Sequence, residues 1–86
     1  MAYKVSWNKG VGKDLNQIPI STQKRIIEKV ETLLANDPLN QGRALVGKYR
    51  GLFRYRVGDY RIIYTINELA MEIRICFVGH RKDIYR

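Results

Sequence analysis

Arg54 and Arg56 alternate with Phe53, Tyr55 and Val57 just before a Gly-Asp dipeptide, and the β-rich run YRIIY follows it. Alternation with a period of two is typical of a strand that buries one face. Gly58-Asp59 suits a two-residue hairpin loop with glycine first, as a type II′ turn prefers. The segment therefore predicts a β-hairpin with strands over about 52–57 and 60–66. Its register pairs Val57 with Tyr60, Tyr55 with Ile62, Phe53 with Tyr64 and Arg56 with Arg61.

The same register gathers arginines on one face of the hairpin. Arg56 stands directly opposite Arg61, and like charges placed this way destabilise a sheet by up to roughly 1 kcal/mol. We interpret these two opposed positive charges as a binding site for an anion. Arg54 shares this face, and Arg74 reaches it from a further strand over about 70–78. Clustered arginines could hold phosphates through forked hydrogen bonds, and the alternative is a solvated face that serves solubility.

The rest of the chain predicts an α+β fold in the order β-α-α-β-β-β, with an antiparallel sheet and two helices packed on one face. Residues 2–7 alternate as a half-buried strand. Residues 8–18 predict a weak helix, and 22–35 predict an amphipathic helix with Ser21 as its N-cap. Residues 39–51 are expected to form a loop that enters the sheet.

Strand alternation also assigns the two faces of the sheet. The face covered by the helices is expected to hold Phe53, Tyr55, Val57, Tyr60, Ile62, Tyr64, Ile66, Met71, Ile73, Ile75 and Phe77. The opposite face is expected to hold Arg54, Arg56, Arg61, Ile63, Glu72, Arg74, Cys76 and Val78, with His80 near the same side.

Composition narrows the classes of function. The chain has 86 residues and a net charge of +8, so we expect one small domain over 1–86 that favours nucleic acid, an acidic protein or an anionic membrane surface. A membrane is the least favoured, because no apolar run approaches about 20 residues. The single cysteine excludes an intrachain disulfide and favours a reducing cytoplasm. No HExxH, CxxC or carboxylate cluster is present, so we expect neither a metal site nor a cofactor.

Three blocks of sequence carry a family resemblance: the opening AYKVSW, the segment from Leu45 to Tyr64, and the terminal FVGHRKDIYR. The chain resembles toxins of the RelE/ParE superfamily over nearly its whole length. The resemblance implies a cognate antitoxin as partner. In the RelE-like branch it also implies an mRNA interferase, a metal-independent endoribonuclease that acts in the ribosomal A site and inhibits translation. There the 2′-hydroxyl of the message attacks the neighbouring phosphate.

The resemblance also implies roles for individual residues. The implied catalytic residues are Arg54, Arg56, Arg61, Arg81 and Tyr85. The first three would orient the RNA and stabilise charge on the phosphorane, because a guanidinium is a poor general base. Arg81 would stabilise or protonate the leaving oxygen, and His80 or Tyr85 would assist proton transfer. RNA binding is predicted for Lys48, Arg50, Arg74, Lys82 and Arg86.

Two other functions fit the same residues. The first is a ParE-like toxin that poisons DNA gyrase and catalyses nothing, since a fold does not determine a function. The second is a basic module that binds RNA or the ribosome without turnover. Such a module would bind message with a strong salt dependence and leave it intact.

Overall fold

The structure is a computed structural model, and it describes residues 2–80. Its elements in chain order are β1 (Lys4–Trp7), α1 (Val11–Asn16), α2 (Ile20–Lys29) with a π-helical turn (Val30–Leu34), α3 (Pro38–Gln41), β2 (Arg43–Ala44), a 3-10 turn (Gly47–Tyr49), β3 (Phe53–Val57), β4 (Tyr60–Asn67) and β5 (Glu72–His80). Within residues 2–80, no helix combines the length and the apolar character that crossing a bilayer requires.

The strands form one sheet in the order β1-β5-β4-β3-β2. The α+β class is confirmed, but the sheet is mixed rather than wholly antiparallel, because β1 runs parallel to β5. The helical layer carries the chain across one face between β1 and the hairpin strands. β2 lies inside the segment expected to be a loop, and it pairs antiparallel with β3.

The predicted hairpin of β3 and β4 is confirmed in register and in turn type. All four predicted pairs occur, including Arg56 opposite Arg61. Gly58 has a φ of 58°, whereas Asp59 has no positive φ, a combination that type II′ requires and type I′ excludes. The loop between β4 and β5 has four residues, because Asn67 pairs with Glu72.

The face assignment predicted for the end of β5 is wrong, because β5 contains a bulge. Tyr64 pairs with Ile75 and Ile63 pairs with Phe77, so Cys76 has no partner position in β4. One extra residue reverses the alternation that follows it. Phe77, expected in the core, is therefore 56% exposed on the outer face, and Val78, expected outside, is buried under the helices.

The core lies between the sheet and the helical layer. Its fully buried helical members are Val11, Ile26, Val30 and Leu34, and they pack on Ile62, Tyr64, Ile73 and Ile75. Met71 does not join them as expected, since it lies in the β4–β5 turn with a φ of 51° and is exposed. Ser21 is not the N-cap of α2, because Pro19 occupies that position and its carbonyl accepts the Gln23 amide at 2.9 Å.

Two polar contacts, one buried and one partly buried, tie the connecting segments to the sheet. The Tyr64 hydroxyl donates to the Pro38 carbonyl at 2.7 Å. Gly42 passes so close that a Cβ there would overlap this hydroxyl and lie 2.7 Å from the Arg54 carbonyl. At the other edge, Val78 N–H donates to the Asp14 carboxylate at 3.2 Å, beyond the point where β1 ends. These contacts fix α1 and the entry into β2.

Candidate functional site

The sheet face turned away from the helices carries five arginines, and we call it the arginine face. Four of them were predicted from the sequence, and pairing with Arg54 adds Arg43. The members are Arg43, Arg54, Arg56, Arg61 and Arg74. Sequence reasoning missed Arg43 because a strand of two residues is too short to show a period of two. Its only signal in the sequence is that it is a basic residue shortly before the hairpin.

Two pairs of arginines are directly opposed across neighbouring strands. Arg43 faces Arg54 between β2 and β3, and Arg56 faces Arg61 between β3 and β4. Directly opposed side chains have Cβ atoms about 4.5–5.5 Å apart, so each pair concentrates two positive charges. Arg54 and Arg56 lie two residues apart on one strand, which separates the two pairs by about 7 Å.

The two members of the Arg56–Arg61 pair differ in exposure. Arg56 is exposed, and its Nε donates a long hydrogen bond of 3.4 Å to the Gly58 carbonyl. Arg61 is half-buried, and its Nη1 is screened from solvent. Gly79 stands opposite Arg61 on β5 and leaves that position without a side chain. A half-buried guanidinium beside an exposed one suits the binding of an oxyanion from two sides.

Little negative charge offsets this face. Within residues 2–80, Arg43, Arg54, Arg56 and Arg74 form no ion pair with an acidic side chain. Glu72 is the acidic residue on the same side of β5, and it lies opposite Lys4 and Asn67 at the far end of the strand. The excess of positive charge attracts an anionic ligand along the row of strands.

The far end of the arginine face is polar. Arg74 stands between Thr65 of β4 and Ser6 of β1, and its side chain is exposed. Burial raises the pKa of the neighbouring Cys76 thiol, while Arg74 and a hydrogen bond with Thr65 act in the opposite direction. Since burial is the largest of these effects, the thiol stays protonated at neutral pH.

The predicted position of His80 is wrong. His80 pairs with Tyr60, and their rings meet edge to face with centroids 5.5 Å apart. Tyr60 packs against the core, so the imidazole lies on the helical side of the sheet rather than beside the arginines. The bulge at Cys76 is the physical reason, since it reverses the alternation after that residue. The proton-transfer role of His80 stays a prediction, and the position of its side chain does not support it.

The remaining predicted residues lie outside the sheet or outside the described chain. Lys48 and Arg50 are exposed in the loop between β2 and β3, where the Lys48 ammonium lies 5.3 Å from the centroid of the Tyr49 ring. The C-terminal candidates fall outside the described residues; they are Arg81, Lys82, Tyr85 and Arg86. Within residues 2–80, no three His, Cys, Asp or Glu side chains are grouped so that they could hold a metal ion.

Comparison with known proteins identifies the family. Residues 5–85 match the sequence profile described as "ParE toxin of type II toxin-antitoxin system, parDE". The chain belongs to the RelE/ParE superfamily of toxins. It is 33% identical to Toxin RelG of Mycobacterium tuberculosis over 86 residues, which is 100% of this chain and 99% of the relative. The toxin of a toxin–antitoxin pair is therefore the class to which this protein belongs.

Solved structures agree with the assignment. The toxin superposes on a chain of the RelBE2 toxin–antitoxin complex of Mycobacterium tuberculosis with a TM-score of 0.90 at 29% identity, covering 96% of this chain and 95% of that one. For the RelE–RelB complex of Pyrococcus horikoshii the TM-score is 0.78 at 31% identity, with coverages of 98% and 100%. These similarities confirm the RelE-like fold.

Proposed function

We propose that this toxin is a ribosome-dependent, metal-independent endoribonuclease that cuts mRNA in the ribosomal A site and so inhibits translation. The observation that carries the proposal is the directly opposed Arg56–Arg61 pair on a face with few acids. Such a pair is unfavourable by itself and becomes favourable when a phosphate lies between the two side chains. RNA offers one phosphate per nucleotide, in keeping with two arginine pairs along β3.

In the proposed reaction the message bound in the ribosome supplies the nucleophile, and the toxin supplies basic side chains. The 2′-oxygen of one nucleotide bonds to the adjacent phosphorus, and the bond from that phosphorus to the 5′-oxygen of the next nucleotide breaks. The 2′-hydroxyl passes its proton to water, and the leaving 5′-oxygen takes one from Arg81 or from water, giving a 2′,3′-cyclic phosphate and a 5′-hydroxyl. Arg56 and Arg61 would stabilise the additional charge on the phosphorane through charge-assisted hydrogen bonds to its oxygens. Arg81 and Tyr85 are proposed at the leaving oxygen.

A cognate antitoxin is the second proposed partner. The solved relatives from Mycobacterium tuberculosis and Pyrococcus horikoshii are complexes of a toxin with its antitoxin. The net charge of +8 favours an antitoxin segment rich in acidic residues. An antitoxin that covers the arginine face would exclude RNA from it by competition for the same positive charge.

Primer extension tests the proposed activity. A defined mRNA is translated in a purified system with and without ribosomes, in the presence of wild type, Arg61→Ala, Arg81→Ala or the control Arg25→Ala. Arg25 is exposed on α2, in the helical layer. The expected result is cutting at A-site codons that requires ribosomes, survives Arg25→Ala and is lost in the other two variants. Intact message with folded wild-type toxin would contradict the proposal.

The family description favours one further candidate function. The matching profile is that of ParE toxins, which makes non-catalytic poisoning of DNA gyrase the alternative. A supercoiling assay with purified gyrase separates the two functions. Inhibition of supercoiling by wild type at concentrations that leave mRNA intact would support the alternative in place of cleavage.

A further inference from the structure

An exposed aromatic ring lies on the arginine face because of the bulge in β5. If Cys76 held a regular place in the ladder, alternation would turn Phe77 toward the core, the side that Ile75 faces. Because Cys76 bulges out of the ladder, Phe77 is instead 56% exposed on the outer face, opposite the buried Ile63. Bulges are frequent next to active sites, where they re-aim a side chain. An aromatic side chain that is turned out of the core in this way is available to a ligand.

The position of Phe77 relative to the arginines is set by the register. One row across the sheet runs from Arg43 through Arg54 and Ile63 to Phe77, one residue from each of four neighbouring strands. Neighbouring strands are about 4.8 Å apart, so the ring lies roughly 10 Å from Arg54 across the row. Ile63 between them is only 3% exposed and offers little contact area. The row therefore combines positive charge at one end with a ring at the other.

We infer that Phe77 is a stacking platform for an unpaired RNA base, and that Arg43 with Arg54 holds a phosphate of the same segment. The inference rests on the proposed function, because it requires RNA on the arginine face. Proteins that bind single-stranded RNA combine a positive groove with aromatic rings on which bases stack. A docked helix would instead need several apolar anchors at helical spacing, and this row exposes one ring.

The row is distinct from the pair that holds the reacting phosphate. Arg56 and Arg61 belong to the neighbouring row toward the hairpin turn, about 7 Å along the strands. Phe77 and Arg43 are therefore positioning residues for a flanking nucleotide. They act by fixing the message in register with the Arg56–Arg61 pair.

Binding of free RNA tests the inference without requiring cleavage. Fluorescence anisotropy measures the affinity of each variant for a single-stranded oligonucleotide of twelve or so nucleotides and for the abasic ribose-phosphate oligonucleotide of equal length. The variants are Phe77→Ala, Phe77→Leu, Phe77→Tyr and Arg43→Ala, with Leu69→Ala as control. Leu69 is fully exposed in the β4–β5 turn, and none of these positions belongs to the core.

The expected results separate the ring from the charge. Phe77→Ala weakens binding of the intact oligonucleotide roughly tenfold, within the range for one stacked base, and leaves the abasic one unchanged. Phe77→Leu keeps the apolar bulk but has no ring on which a base can stack, so it should bind as weakly as Phe77→Ala. Phe77→Tyr keeps a ring and should bind as wild type does. Arg43→Ala weakens both oligonucleotides and lowers the salt slope by about one. Leu69→Ala changes nothing.

Several results would overturn the inference. Equal affinity of wild type for intact and abasic RNA would do so. So would a Phe77→Ala variant that binds intact RNA as tightly as wild type, or that loses the same affinity for intact and abasic RNA. Wild-type binding by Phe77→Leu would show that apolar bulk suffices and would favour a protein partner. Because no ribosome is involved, failure here is distinguishable from failure of the cleavage proposal, which primer extension reports separately.

Discussion

Replacing Arg56 by glutamine should make the toxin more stable and less active. Arg56 and Arg61 are directly opposed, and two unit charges about 6 Å apart in a water-like medium repel by about 0.7 kcal/mol. The variant loses one hydrogen bond, from Nε to the Gly58 carbonyl, and its length of 3.4 Å makes it weak. The net gain should be about 0.5 kcal/mol, equivalent to a rise in Tm of about 2–4 °C for a domain of this size.

Thermal unfolding followed by circular dichroism measures this gain at low ionic strength. At 1 M NaCl, where the Debye length is about 3 Å, the difference between Arg56→Gln and wild type should largely disappear. Sulfate should raise the Tm of wild type more than that of the variant, because it can lie between the two arginines. Arg25→Gln serves as the matched control, since it removes an exposed arginine from the helical layer.

Cleavage of mRNA by the same variants completes the test. Arg56→Gln should lose most of its activity while gaining stability, whereas Arg25→Gln should keep full activity. A residue kept for structure would behave in the opposite way. If Arg56→Gln is less stable than wild type by 0.5 kcal/mol or more, or cleaves as well as wild type, the reasoning from the opposed pair is refuted.

The remaining predictions concern the contacts that hold the site in place. Gly42→Ala should destabilise the fold by more than about 2 kcal/mol, since its Cβ would overlap the Tyr64 hydroxyl and nothing near it can yield cheaply. Gly12→Ala is the control, with open space around it in α1, and should stabilise by about 0.5–1 kcal/mol in urea unfolding. Tyr64→Phe should cost about 1–3 kcal/mol, because the buried Pro38 carbonyl loses its donor. Burial holds the pKa of Tyr64 above its ordinary value of 10.0, so this phenol lowers wild-type stability only above about pH 10, where the unfolded chain releases the proton first. The decline between pH 10 and 11 should be shallower in Tyr64→Phe, and an identical decline would contradict the assignment.

The hairpin was predictable from the sequence because its determinants are local. Alternation and a glycine at the first turn position are sufficient to fix the register, and the register places Arg54, Arg56 and Arg61 together. The bulge at Cys76 was not predictable in this way, because it depends on how β5 pairs with β4 rather than on any period. Its consequences reach Phe77 and His80, whose faces were both assigned wrongly.

The edge strand β2 was not predicted from the sequence, for a second reason. β2 has two residues, too few for a periodic signal, so Arg43 appeared to lie in a loop. Its position depends on the close approach of Gly42 to Tyr64, a tertiary contact between residues distant in sequence. The parallel pairing of β1 with β5 is likewise a property of the whole fold. Charge and local alternation therefore predicted four of the five members of the arginine face, and tertiary pairing supplied Arg43.

A message with a single 2′-deoxy nucleotide, bound to programmed ribosomes, tests the central claim most directly. The scissile phosphate is first mapped with the all-ribose message. In the test message the 2′-deoxy nucleotide lies immediately 5′ of that phosphate, and in the control message it lies one nucleotide further toward the 3′ end. If the arginine face positions the message for attack by its own 2′-hydroxyl, the first substitution should abolish cutting at that phosphate and the control should be cut normally. Equal cutting of both messages would contradict the account, because the 2′-hydroxyl would then not be the nucleophile.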